Sequence, residues 1–203
     1  RNQSLGNYYK GWGMGPVNPA LWDDYESGDT RKTASIISID GEGFSSQYAL
    51  GDQNQYTGYF WKKYTPVGGA TRPDANGGDF QIDNYDNYVA IRFADVLLMA
   101  AEINLNTDLS KAQGYYNQVR DRAFNYDVSH RKILSSNAAG LKLIMEERRL
   151  ELALEGQRYW DLLRQGMTIA KQAIDNTTGG ANFQVNFPVA TEGLFEIPQT
   201  QIG

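Results

Sequence analysis

The sequence predicts a mainly α fold of helical pairs with long irregular loops and a few short strands. Three observations carry this. Residues 88–175 repeat apolar positions at helical spacing, residues 1–87 are rich in Gly, Asn, Asp and Tyr, and after Asn176 the chain returns to turns and extended segments. The 203 residues suffice for one generous domain or two small ones, and a hydrophobic share of 41% is enough to bury a sizeable core.

In chain order, Asn18-Pro19 starts a short helix near Ala20–Glu26, because an Asn cap followed by Pro suits a helix start. "ASIISI" (34–39) has the β-branched content of a short strand, and "YTGYFWKKY" (56–64) is a second short apolar run. Turn signals separate them: "GWGMGPVNP", "SGDT", "DGEG" and "PDANGGD".

"YVAIRFADVLLMAAEINLN" is apolar almost all round, as a buried helix should be. Its polar exceptions Arg92, Asp95 and Glu102 share one stripe. The next helix, "TDLSKAQGYYNQVRDRAF", has Asp108 or Ser110 as its N-cap and sets Ala112, Tyr116, Val119 and Ala123 on one face. A short loop between the two makes them an antiparallel hairpin, which small Ala101 and Ala112 allow to close tightly.

"SSNAAGLKLIMEERRLELALEG" reads as a third helix ending at Gly156, and "QRYWDLLRQGMTIAKQAI" as a fourth. Across them, Arg148 and Glu151, Glu155 and Arg158, and Asp161 and Arg164 stand three apart, a spacing that suits ion pairs bracing a buried helix. Arg148, Glu151 and Glu155 are therefore expected to be buried and paired, since an unpaired buried charge is costly.

Several chemistries are excluded. Net charge is −5 with no Lys/Arg cluster, which argues against nucleic-acid binding. No apolar run approaches the roughly 20 residues of a membrane helix. Cysteine is absent and His130 is the lone histidine, so neither thiolate chemistry nor a histidine-based metal site is available. Serine-nucleophile and phosphate-loop motifs are missing. "DANGGD" opens like a calcium loop through Asp74, Asn76 and Asp79, but Tyr85 stands where an EF-hand requires Glu, so a turn is expected there. No catalytic residue, metal or cofactor is expected. A glycosidase built on Glu151 and Glu155 would need one of them protonated, and each has an arginine within reach.

The remaining candidates are aromatic. Tyr8, Tyr9, Trp12 and Trp22 lie in a Gly/Asn/Pro-rich stretch, with Tyr48, Tyr56, Tyr59 and Trp61 further on. Sugar rings have apolar C–H faces that stack on such side chains, while neighbouring polar groups take the hydroxyls. Packing of loops onto helices competes with this reading for each residue. Tyr8, Tyr9, Trp12 and Tyr48 are the candidate ligand-binding residues, Trp12 between two glycines being the least suited to a core.

With the helices placed, four motifs stand in order: "NYVAIRFADVLLMAAEINLN" (87–106), "AQGYYNQVRDRA" (112–123), "LIMEERRLELALEGQRYWDLLRQG" (143–166) and "EIPQTQI" (196–202). Asp29 and Arg31, and Lys63-Tyr64, add upstream matches, and Glu196 replaces the usual first proline of the closing segment. Together these resemble the C-terminal half of the SusD/RagB family.

The resemblance implies a C-terminal domain over 1–203: a loop-rich region 1–87, a helical core 88–175 of tetratricopeptide-like pairs, and an extended segment 176–203. The N-terminal half, with signal peptide and lipidated cysteine, is expected to lie outside this chain. It further implies a nutrient-binding protein, not an enzyme, on the extracellular face of the outer membrane. Such a protein is held to the membrane only through its lipid anchor, and it delivers an oligosaccharide or other nutrient to a SusC-like TonB-dependent transporter. A helical protein-interaction scaffold is the alternative, and a glycoside hydrolase a weaker one. The family's shared motifs are architectural, so no binding residue transfers from them.

Overall fold

The structure, a computed structural model, describes residues 4–11, 16–48, 56–68, 87–175, 185–194 and 198–201. Trp12, the 74–85 turn and residues 196, 197 and 202 of the closing motif lie outside them. Mainly α architecture is observed: seven α-helices and one two-stranded sheet among the described residues.

Helix α1 (Pro19–Asp24) starts where expected, its Asn18 side chain accepting from the Ala20 N–H at 2.9 Å. A five-residue helix α2 (Arg31–Ser35) then runs directly into strand β1 (Ile36–Ser38). The sequence reading missed α2, which has no side-chain cap of its own. Strand β2 (Tyr59–Trp61) pairs antiparallel with β1 in the register Ile36–Trp61, Ile37–Phe60, Ser38–Tyr59. The Ile39 and Lys62 N–H groups extend the ladder by donating to the Gly58 and Ser35 carbonyls.

Helix α3 (Phe93–Asn104) and α4 (Leu109–Ala123) form the hairpin, and α5 (Ala138–Glu151) closes its open side. Leu98, Ala101, Ala112, Tyr116, Val119 and Ile144 are fully buried in the shared core. Asp108 caps α4 by accepting from Lys111 N–H, and Asn137 caps α5 by accepting from Ala139 and Gly140 N–H. α3 begins at Phe93 rather than near Tyr88, because Arg92 is held extended with its side chain turned toward α5.

The third helix stops at Glu151, five residues before Gly156. Its last carbonyl accepts from Lys63 Nζ at 2.9 Å and Arg92 Nη2 at 2.8 Å, while the Glu155 N–H turns back to Leu152. Two cations thus satisfy an orphan carbonyl at the negative end of the helix dipole. The fourth helix is two: α6 (Arg158–Leu163) and α7 (Met167–Asp175), broken at Gly166, whose φ of +105° lies in the left-handed region.

Three smaller clusters attach the loops. Leu5, Tyr8, Ile37, Ile39, Tyr48 and Phe60 form one; Val17, Tyr25, Ile36 and Leu150 join the N-terminal region to α5; Leu162, Ala170 and Phe187 join α6 and α7 to residues beyond them.

Candidate functional site

Two features of the described residues bear on function: the aromatic packing of the N-terminal region, and a separate charged cluster that joins this region to the helices.

The chain turns back on itself at Leu5–Tyr8, and a bridge to Val67 then holds Tyr8 against the segment after β2. Tyr9 N–H donates to the Pro66 carbonyl at 3.0 Å. Tyr8, Tyr9 and Tyr48 are buried, at 9, 8 and 7% exposure. Tyr8 meets Phe44 edge-on with ring centres 6.1 Å apart, and its hydroxyl donates to Glu42 Oε2 at 2.6 Å. Burial, reinforced by that acceptor, pushes the Tyr8 phenol above its ordinary pKa. Tyr48 packs on Phe60 and on Tyr56, with centroids 5.5 and 5.1 Å away.

Tyr8 and Tyr48 therefore share one cluster, with Tyr9 bonded beside it, and none presents a broad free ring face. Among the described residues of this region, the exposed rings are Tyr56 and Trp61. The 2.0-residue alternation of β2 predicts this for Trp61, since Phe60 points inward between Tyr59 and Trp61. Trp22 stacks on Tyr59 at 4.9 Å with Lys32 Nζ above it, so this tryptophan is engaged as packing.

The charged cluster draws on segments from Asp29 to Glu155. Glu147, side chain 1% exposed, accepts from Arg31 Nη1 and Arg120 Nη1, each at 2.7 Å. Arg31 also clasps Asp29. Glu151 meets Arg92 at 2.8 Å, Arg31 at 3.2 Å and Arg122 at 2.5 Å. Glu155 meets Lys63 at 2.6 Å and Arg92 at 2.8 Å. Burial alone would raise the Glu151 carboxyl; the Arg92 hydrogen bond and the Arg122, Arg31 and Arg92 charges outweigh it and hold the group below the usual carboxylate range. Burial lowers the Lys63 ammonium despite its Glu155 partner.

Arg148, Glu151 and Glu155 are thus paired, as expected, but mostly not with the expected partners. Arg148 bonds Asp95 at 2.6 Å and Asp161 at 2.8 Å instead of Glu151. Arg158 is not paired with Glu155, because α5 has ended before both and the turn through Gly156 lies between them; burial and then Arg149 lower its pKa to about 10. Only Asp161–Arg164, at 2.9 Å, forms at the local spacing. Arg164 also reaches Glu102. The stripe Arg92, Asp95, Glu102 that leads along α3 is matched by Glu151 and Glu155, by Arg148, and by Arg164.

In this geometry the charged side chains brace one another. Both glutamates of the hypothetical hydrolytic pair are tied to Arg92, and Glu151, held ionised, has no proton to give a leaving group. Nor do three or more His, Cys, Asp or Glu converge on a metal position among the described residues. His130 is a partly exposed ring stacked 4.0 Å over Phe124.

The described residues define a mainly helical platform with packed aromatic side chains and a paired charged cluster. The SusD family model matches residues 1–202, and the chain belongs to the SusD family. SusD-like protein P2 of Formosa agariphila is 25% identical over the whole chain, which spans 40% of that relative. Surface glycan-binding protein A from Bacteroides thetaiotaomicron, solved in complex with laminarihexaose, is 26% identical with a TM-score of 0.73, over 97% of this chain and 40% of its own. A laminarin binding SusD-like protein is 30% identical, also with a TM-score of 0.73, over 98% of this chain and 38% of its own.

Proposed function

We propose that this chain is the glycan-facing part of a cell-surface binding protein that captures an oligosaccharide and hands it, unaltered, to a TonB-dependent transporter. One observation carries the reading: a structure solved with laminarihexaose bound shares this fold over 97% of the chain. A second laminarin binder of the same family supports a glucan as ligand. Family membership supports the transporter partner, and with it a place on the extracellular face of the outer membrane through a lipid anchor elsewhere in a longer polypeptide.

Among the aromatic candidates, Trp12 is the stacking residue in this reading. Tyr8, Tyr9 and Tyr48 have little ring face exposed and serve as packing in this reading. Isothermal titration of the full-length polypeptide with laminarihexaose and a panel of other oligosaccharides tests this. Saturable binding without product release is expected, weakened about tenfold or more by Trp12→Ala, as loss of a stacked ring costs on the order of 1–2 kcal/mol. Absence of binding to any glycan, with ligand-independent capture of the transporter, would favour a protein-interaction scaffold instead.

A further inference from the structure

A cavity of about 500 Å³ opens where α2, the residues after β2, the start of α3, the end of α4 and the turn after α5 meet. That volume suits a sugar residue or two. Its charges are layered. On the floor, Glu151 and Glu155 have side chains only 2 and 7% exposed. Above them lie Lys63 at 21%, Arg92 at 27% and Arg122 at 52%. An incoming group therefore meets cations before it meets either carboxylate.

The floor carboxylates are saturated: Glu151 takes Arg92 on one oxygen and Arg31 and Arg122 on the other, and Glu155 takes Arg92 and Lys63. The rim is not. Arg122 donates through Nη2 alone, so its Nε and Nη1 have no acceptor among the described residues. Lys63 uses two of its three N–H bonds, toward the Glu151 carbonyl and Glu155. Tyr64 lines the same space, its hydroxyl making no hydrogen bond among the described residues, and Val89 supplies an apolar wall.

We propose that this cavity binds an acidic sugar residue. Its carboxylate or sulfate is held by Arg122 and Lys63, and the C–H face of its ring lies against Tyr64 and Val89. A guanidinium fork with two unused donors is the group that recognises a planar or tetrahedral oxyanion, and charge-assisted bonds of this kind are the strong ones. The proposal rests on the glycan-binding reading, but on lining residues that include none of its aromatic candidates.

The test is titration of the full-length polypeptide with D-glucuronate, D-glucose 6-sulfate, D-glucose, inorganic sulfate and laminarihexaose. At least one acidic sugar should bind, at least tenfold more tightly than D-glucose or inorganic sulfate, and which one binds identifies the acid group. Arg122→Gln should weaken that binding tenfold or more while laminarihexaose binding is unchanged, and Arg122→Lys should restore part of it. Glu151 keeps Arg31 and Arg92 in both variants, so the thermal midpoint should stay near the parent's. Acidic sugars binding no better than D-glucose, or indifferent to Arg122→Gln, overturn the proposal, and so does inorganic sulfate binding equally well. Loss of laminarihexaose binding alone would strike the neutral-glucan reading and leave this site standing.

Discussion

At the scale of single residues, Glu147 shows what the charge-rich motif does. Its two oxygens serve Arg31 and Arg120, with the Tyr116 hydroxyl at 3.4 Å, and all of these groups are buried. Removing one charge would leave two guanidiniums facing a neutral group in a low-dielectric interior. Glu147→Gln should therefore cost about 3–5 kcal/mol, read as a fall in the urea midpoint at unchanged slope. A loss under about 1 kcal/mol would mean that water reaches the cluster, as it does for exposed pairs. For Arg148 and Glu151 on the same helix, burial and pairing were legible in the sequence, while Glu155, also expected there, is paired but half-buried. Arg148 and Glu151 sit among Ile144, Met145, Leu150 and Leu152, whose wide apolar arc buries the helix and carries the charges in with it. Who pairs with whom was not legible, because Arg31, Arg92 and Arg120 are 116, 59 and 27 positions from their acids. Local spacing favours i,i+3 partners only where no tertiary contact competes.

At the scale of elements, caps and faces were legible while ends were not. Asn18 and Asp108 cap where the sequence places them, and the buried face of α4 is the predicted one. The end of α5 depends on Lys63 and Arg92 reaching its last carbonyl, which no local pattern announces. Gly140 in α5 makes a sharper case. Alanine is the better helix former by about 1 kcal/mol, yet a Cβ there would stand 1.9 Å from the Ser135 carbonyl oxygen. Gly140→Ala should hence lower the thermal midpoint by several degrees, and a rise would show that the 135–137 turn yields freely. α3 offers the opposite case, since its outer face carries Phe93 and Ile103 at 73 and 75% exposure while Leu98 is fully buried. In chemical denaturation of this chain, Phe93→Glu should change stability by no more than about 0.5 kcal/mol, against about 2–5 kcal/mol for Leu98→Ala. The candidate site was harder to read than either, because whether Tyr8 or Tyr48 faces ligand or core is decided by Val67, Phe44 and Phe60, none of them an adjacent residue.

At the scale of the whole molecule, the charged cluster ties the loop-rich N-terminal region to the helices. Asp29 and Arg31 precede β1, Lys63 follows β2, Arg92 leads into α3, Arg120 and Arg122 end α4, and Glu147, Glu151 and Glu155 come from α5 and its turn. Tyr25, donating to the Leu150 carbonyl at 2.9 Å, adds a neutral clasp across the same seam. The pH dependence follows from the acids. Arg92, Arg122 and Arg31 overcome burial to hold Glu151 below its ordinary value of 4.5, and Lys132 and Arg120 do the same for Glu26. A folded-state pKa below the unfolded one means that the unfolded chain binds protons first on acidification. The stability these groups contribute is thus complete above about pH 4.5 and is lost as pH falls through their depressed folded values. Because the cluster joins both regions, its protonation should unfold them together: near-ultraviolet signals from the aromatic loops and far-ultraviolet signals from the helices should fall in one coincident transition below pH 4.5. The buried pairs are little screened, so roughly 0.5 M NaCl, in which the Debye length is only about 4 Å, should move the midpoint slightly. An early loss of the aromatic signal with the helical signal intact would show that the N-terminal region is held by its apolar clusters alone, and that the ion pairs brace only the helices.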